Sequence, residues 1–288
     1  MIVILGASGA TGSALLDRLG TLGVPSRALS RDPESLRARL DGLGGGPVEI
    51  HAADAADPDS LRVAFKGADQ LFLTMSNSPA QVMLETQVID IAAEAGIGHI
   101  VKLSAPAVGP RSPVLFSRWH HAIEEHLRSS GVTHTVLRPY AFLQKLPHLA
   151  PTITAQDVIL GAMGEAGCTY IDCRDIADVA AAALTRPELA GGEYTLTGDR
   201  TFTYPQLADV FSSLLGRTIR YVDLPPDAMR RNLTEHAHMP DWLAGHIVEI
   251  QQLAVTHPET PTDTVERVLG RPPRSLGAYL RENLHQFR

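Results

Sequence analysis

The chain has 288 residues, 44% hydrophobic and 20% charged, enough for one large α/β domain and a smaller one, each with its own core. Lys and Arg number 25 against 32 Asp and Glu, a formal net charge of -7. A nucleic-acid binder would carry a basic surplus, so that class of partner is not expected. The two cysteines, Cys168 and Cys173, have neither C-x-x-C nor zinc-knuckle spacing, and so few in a chain this long suit a reducing compartment. The first apolar run starts at Ile2, leaving no room for a signal peptide, and no run reaches the length of a membrane span. A cytoplasmic protein with no membrane partner is expected. His236 and His238 lack a third ligand at a sensible spacing, so no metal site is expected either.

Ile2 to Leu5 reads as a buried parallel strand, followed by a glycine-rich turn and an amphipathic helix from about Ser13 to Leu22. A second strand covers Ser26 to Ser30. Asp32-Pro33-Glu34 then starts a helix, with Asp32 as N-cap and Pro33 first in the helix. The same pattern recurs at Asp57-Pro58-Asp59, so the βα unit repeats. Gly44-Gly45-Gly46-Pro47 leads into a strand, Val48 to His51, and reads as a loop, because a phosphate cradle needs a following helix. Further strands are expected at Gln70 to Thr74, His99 to Ser104 and His134 to Arg138, with helices at about Pro79 to Ala95 and Arg118 to Ser130. This alternation predicts an α/β fold with a doubly wound parallel sheet. Beyond Pro139 come a strand at Thr169 to Cys173, an Ala-rich helix from Ile176 to Leu184 capped by Asp175, a strand at Tyr194 to Thr197 and a helix from Tyr204 to Leu215. From Asp223 onward the chain reads as mostly helical. The expected division is a cofactor domain over residues 1–150, with 169–200 returning to it, and a smaller substrate domain from 151–168 and 201–288.

Gly6, Gly9 and Gly12 stand in the spacing G-x-x-G-x-x-G between a strand and a helix. The first lets the chain turn off the strand, the second admits a pyrophosphate, and the third lets helix and strand pack closely. Ser8, Ala10 and Thr11 complete a Rossmann-type turn for a nicotinamide dinucleotide, with free N–H groups and the helix dipole facing the anion. The second strand ends in Ser30-Arg31-Asp32. Asp32 is used as a cap, whereas Arg31 is available for a 2′-phosphate, so NADP(H) is preferred and NAD(H) is the second option. Asp54, after the third strand, is either an adenine contact or a plain loop acid. Leu73 and Thr74 should pass beneath the ribose.

The stretches GASGATG, ALSRDPESL, AAEAGIGHIVKLSA, WHHAIEEHLRSSGVTHTVLRP, YIDCRDIADVAAAAL and EYTLTGDRTFTYPQLADVFSSLLGR run in order along nearly the whole chain. In them the sequence resembles the NmrA-like, atypical short-chain dehydrogenase/reductase family, in its quinone oxidoreductase and triphenylmethane reductase branch. The resemblance implies a cofactor domain, a smaller substrate domain and a pocket between them, with Pro139, Tyr140, Ala141 and Phe142 lining the nicotinamide site. Many members carry an Asn where this chain has Lys145. Other short-chain dehydrogenases use Ser, Tyr and Lys; the matching positions here are Ser104, Phe116 and His120. Phe116 has no proton to donate, which disfavours simple alcohol dehydrogenation and sugar epimerisation.

Two readings follow. In the first, Ser104, His120 and Tyr140 form the catalytic group of an NADPH-dependent reductase, and hydride passes to a small hydrophobic, electron-poor acceptor such as a quinone or conjugated carbonyl. In the second, the protein binds NADP(H) without turnover and reports redox state to a protein partner. A homo-oligomer is left open. On the helix, His120 and His121 precede Glu124 and Glu125 by four residues, and ordinary surface pairing accounts for at least one of these pairs. Trp242, Ile247 and Ile250 are either pocket wall or core.

Overall fold

The computed structural model describes residues 1–40 and 48–288; the glycine loop read at 44–47 lies outside the described residues. The first half runs β1 (Ile2–Leu5), α1 (Ala10–Thr21), β2 (Ser26–Ser30), α2 (Pro33–Leu40), β3 (Val48–Ala52), α3 (Pro58–Ala64), β4 (Gln70–Leu73), α4 (Gln81–Glu94), β5 (His99–Leu103), α5 (Leu115–Ser129) and β6 (Thr133–Pro139). Then follow α6 (Ala150–Gln156), β7 (Val158–Gly161), β8 (Gly167–Thr169), α7 (Cys173–Thr185), β9 (Glu193–Leu196), β10 (Thr201–Thr203), α8 (Tyr204–Leu215) and β11 (Arg220–Asp223). The chain ends with α9 (Pro226–Glu235), α10 (Asp241–Thr256), α11 (Thr264–Leu269) and α12 (Leu276–Glu282).

Seven parallel strands form one sheet in the order β3-β2-β1-β4-β5-β6-β9. One face, with Ile2, Ile4, Phe72 and Val101, is buried under α1 and α7. The other, with Val3, Leu5, Leu71 and Ile100, is buried under α3, α4 and α5. Covering both faces is what requires strands that read as apolar runs. The strand order reverses between β1 and β4, and in such sheets ligands sit beyond the carboxyl ends of the strands at that point. The two aspartate caps fall where the sequence puts them: Ser35 N–H donates to Asp32 at 3.0 Å, and Asp57 accepts from Asp59 and Ser60.

The region from β7 onward differs from expectation in two ways. Short ladders pair β7 with β11 in parallel and β8 with β10 antiparallel. Strands of three or four residues carry too little periodicity to be read from sequence. The strand expected at Thr169 to Cys173 ends at Thr169, and Cys173 already opens α7. Its cap is Asp172, whose carboxylate accepts from Arg174 N–H at 2.8 Å, and not Asp175. Asp175 is fully buried and accepts from Arg271 at 2.8 Å and from the Arg274 backbone N–H at 2.6 Å. A partner 96 residues away leaves no local trace in the sequence. These contacts fasten the segment between α11 and α12 to α7, which itself packs on α1.

Removing the carboxylate leaves two half-exposed guanidinium groups with Asp178 as their one remaining shared acid among the described residues. Asp175→Ala should cost about 2–3 kcal/mol, below the usual figure for a wholly buried pair, and lower Tm by about 4–10 °C. Calorimetry showing an unchanged Tm would mean that this ion cluster does not hold the C-terminal segment.

Candidate functional site

The glycine turn has the geometry its spacing demands. Gly6 has a φ of +87°, and a Cβ there would stand 2.4 Å from the Thr74 carbonyl oxygen. A Cβ on Gly12 would stand 2.2 Å from the Gly6 carbonyl oxygen. Gly9 differs: a Cβ would meet only Gly6 O, at 3.3 Å, and the residue is exposed. It is the N-cap of α1 and offers no capping side chain. Ser13 N–H closes on Gly9 O at 2.9 Å, while the N–H groups of Ala10, Thr11 and Gly12 have no partner among the described residues. A helix start that is exposed at Gly9 and Ala10, with three N–H groups unpartnered among the described residues, fits a dinucleotide pyrophosphate. Arg39, which sequence reasoning misses, donates to Ser8 O at 2.9 Å and steadies the tip of the turn.

Arg31 is exposed at the end of β2 and makes no hydrogen bond or ion pair among the described residues. Asp32 beside it is committed to its cap. Asp54 Oδ1 accepts from Ala56 N–H at 2.9 Å, so one carboxylate oxygen serves the turn after β3. Leu73 is fully buried and can face a ligand only through its backbone, whereas Thr74 lies against Gly6.

The residues expected to be catalytic fall into two clusters. In the first, Ser104 Oγ donates to Glu124 Oε1 at 2.6 Å. Arg138 holds the same buried carboxylate at 3.1 and 2.6 Å, and Arg128 at 3.0 Å. Glu124 is therefore not the partner of His120, and Glu125 pairs with Arg128 rather than His121; neither expected i, i+4 pair forms. Tyr140 joins this cluster. Its N–H donates to Leu196 O at 3.0 Å, and it lines a cleft of about 500 Å³ with Pro106, His121, Arg138 and Thr195. Burial pushes its phenol pKa up. Pro139 is buried beside it, and Phe142 bridges to Ile171 and leans on the core of the main sheet.

The second cluster surrounds His120, which is 6% exposed. Its Nδ1 lies 3.5 Å from Lys102 Nζ and its Nε2 lies 3.5 Å from Gln81 Nε2. Lys102 and Glu85 are both fully buried and form an ion pair at 2.8 Å, and Gln81 donates to the other Glu85 oxygen at 2.8 Å. Sequence reasoning misses this pair, although the signal was present: a lysine inside the apolar strand HIVKL needs a buried acid. Burial holds the His120 pKa well below 6.5, helped by Lys102 and then by His246. An acid that titrates near neutral pH is thus not what His120 offers; it offers a neutral imidazole. Phe116 shares its helix face and stacks on His246 of α10, with Trp119 and Trp242 at 4.9 and 5.9 Å from the Phe116 ring. Of the other late-helix candidates, Ile250 is exposed and Ile247 packs against the Met229 group. A wider cleft, about 810 Å³, is walled by residues such as Met163, Leu224 and Val255 and contains none of the expected site residues.

Burial also lowers the His246 pKa to about 4. Unfolding returns both imidazoles to about 6.5, so below that pH the unfolded chain gains protons that the folded chain does not. Their lowered pKa values add no protonation cost above pH 6.5, and stability falls as pH drops from there toward 4. His246 alone should remove about 2 kcal/mol between pH 7 and pH 5. Urea melts at the two pH values should show a smaller drop in His246→Phe than in the parent; equal drops would contradict a neutral, buried His246.

Comparison with known proteins places the chain among reductases by overall likeness. The chain is 31% identical over 288 residues to an NAD(P)H azoreductase of Xenophilus azovorans, spanning 100% of this chain and 99% of that protein. It is 33% identical to a (4-alkanoyl-5-oxo-2,5-dihydrofuran-3-yl)methyl phosphate reductase of Streptomyces griseus, again over 100% and 99% of the two. An NADPH-dependent quinone oxidoreductase from Escherichia coli, solved with NADPH, superposes with a TM-score of 0.86 at 23% identity, covering 99% of this chain and 100% of that one; this likeness speaks for the fold alone. The NmrA-like family matches residues 1–278, and the chain belongs to that family.

Proposed function

We propose that this protein is an NADPH-dependent reductase acting on a small, planar, electron-poor acceptor such as a quinone or conjugated carbonyl. The observation that carries the reading is end-to-end likeness to two proteins named as reductases, in a chain whose own glycine turn fits a dinucleotide. Ala10, Thr11 and Gly12 would hold the pyrophosphate, and Arg31 the 2′-phosphate. Bound NADPH supplies a hydride from its nicotinamide. Phe116 and the neutral His120 furnish no strong acid near neutral pH, which suits acceptors whose reduced anion is already delocalised. Lys102, paired with Glu85, holds His120 in place from beneath. Ser104 orients with Glu124 and Arg138, and Tyr140 closes the same side of the site. The non-catalytic sensor reading has no observation of its own in its favour.

Turnover is tested with a panel of quinones, azo dyes and conjugated carbonyls, following loss of reduced nicotinamide; binding without any turnover would overturn the reductase reading. The cofactor assignment has its own test. A charge-assisted phosphate contact contributes about 1.5–3 kcal/mol, so Arg31→Ala should weaken NADPH about ten- to a hundredfold and leave NADH nearly unchanged. Gly9→Val should fold yet bind neither, because its side chain enters the phosphate space. Fluorescence titration showing equal NADPH affinity in Arg31→Ala and parent would misplace the 2′-phosphate site.

A further inference from the structure

We propose that His246 of α10 is the hydrogen-bond donor to the acceptor's carbonyl oxygen, taking over a task that Phe116 on α5 is unable to perform. The inference rests on the reductase reading and adds to it a residue from the C-terminal region.

Three observations carry it. First, His246 is placed with care. Glu249, one turn later on the same face of α10, accepts from Leu115 N–H at 3.0 Å and so pins α10 to the start of α5. Gln251 accepts from Ala162 N–H at 2.8 Å, and Gln252 donates to Ala162 O at 2.6 Å. The imidazole is thereby stacked on the Phe116 ring, in the buried space it shares with His120. Second, His246 is idle. It is 6% exposed, its Nδ1 is shielded and unpartnered, and neither ring nitrogen has a hydrogen-bond partner among the described residues. A buried polar group left unpaired costs stability, and a leucine or phenylalanine would pack there without that cost. Third, the side chains around it suit a flat conjugated ligand. Phe116 is flanked by Trp119 and Trp242, both half-buried, so the imidazole sits at the inner side of an aromatic group whose outer members reach the surface.

The chemistry balances without a cationic acid. The acceptor takes up a hydride, two electrons with one proton, and becomes an oxyanion carrying one negative charge. The neutral His246 N–H donates to that oxygen as charge develops and keeps its proton; the oxyanion takes its final proton from solvent. A fixed neutral donor aimed at developing charge is worth about 10²-fold or more in kcat. It costs no reorganisation and needs no titration near neutral pH.

The test uses tetramethyl-1,4-benzoquinone, which has no free ring position for thiol addition. His246→Phe keeps the stacking and volume but removes the donor; His246→Gln keeps a donor. The expected result is a kcat about 10²-fold lower in His246→Phe, with NADPH affinity and quinone KM within about threefold of the parent, and recovery to within about tenfold in His246→Gln. Independently of turnover, imidazole ¹⁵N resonances of the cofactor-free parent should shift at His246 when the quinone is added. Parental kcat in His246→Phe overturns the inference alone. No turnover in the parent with a shifted His246 resonance overturns the reductase reading and leaves the donor site standing. No turnover and no shift overturn both. Should His246→Phe fail to fold, the resonance decides, and an unmoved signal overturns the inference.

Discussion

The crossing of Gly6 and Gly12 is the constraint on which the rest of the molecule depends. A Cβ at Gly12 would meet Gly6 O at 2.2 Å, so α1 lies as close to the end of β1 as backbone allows. That approach has three consequences. It leaves the start of α1 with N–H groups unpartnered among the described residues, at the switch point of the sheet. It seats α1 flat enough to bury Leu15, Leu16 and Leu19 over the sheet and against α7. And because α7 packs on α1 and holds Arg271 and Arg274 through Asp175, the C-terminal segment is tied to the same helix pair. The open helix start, the core under α1 and the anchoring of the C-terminal segment thus share one contact.

The second organising feature is the set of buried charges on the other side of the sheet. A lysine and a glutamate without exposure are costly to desolvate, and their pairing offsets that cost only with good geometry. Here the pair supports Gln81 and His120, while Glu124 gathers Ser104, Arg128 and Arg138. Both carboxylates lie under the carboxyl ends of β5 and β6, where a parallel sheet of this order receives its ligand. Polar groups are thus concentrated beneath the proposed reaction site, and the covering layer, Phe116, Trp119, Trp242 and His246, is aromatic. Burial lowers the pKa of both histidines, and the Lys102 charge adds to the effect at His120, which suits the proposed transfer to acceptors that need little proton assistance.

What could be read from sequence follows from range. The strand Ser26–Ser30, the helix Tyr204–Leu215 and the caps Asp32 and Asp57 depend on neighbours within a few residues, and all were legible. The glycine turn was legible because its spacing encodes a backbone clash. Asp175 and Asp172 illustrate the limit: either aspartate satisfies the local rule for a cap, and only the distant Arg271 and Arg274 decide which one serves another partner. The His120–Glu124 pair failed for the same reason, since Ser104 and Arg138 outbid a helix neighbour for the carboxylate. His246 had no sequence signal at all; its meaning comes from the ring it stacks on, which lies in another part of the chain.

The most direct measurement follows the hydrogen itself. NADPH deuterated at the transferable nicotinamide position is incubated with the protein and a conjugated carbonyl acceptor, and the product is examined by mass spectrometry. The account predicts one deuterium on a product carbon for each cofactor oxidised, with NADH giving far less product at equal concentration. Tight NADPH binding with no labelled product from any conjugated acceptor would contradict it.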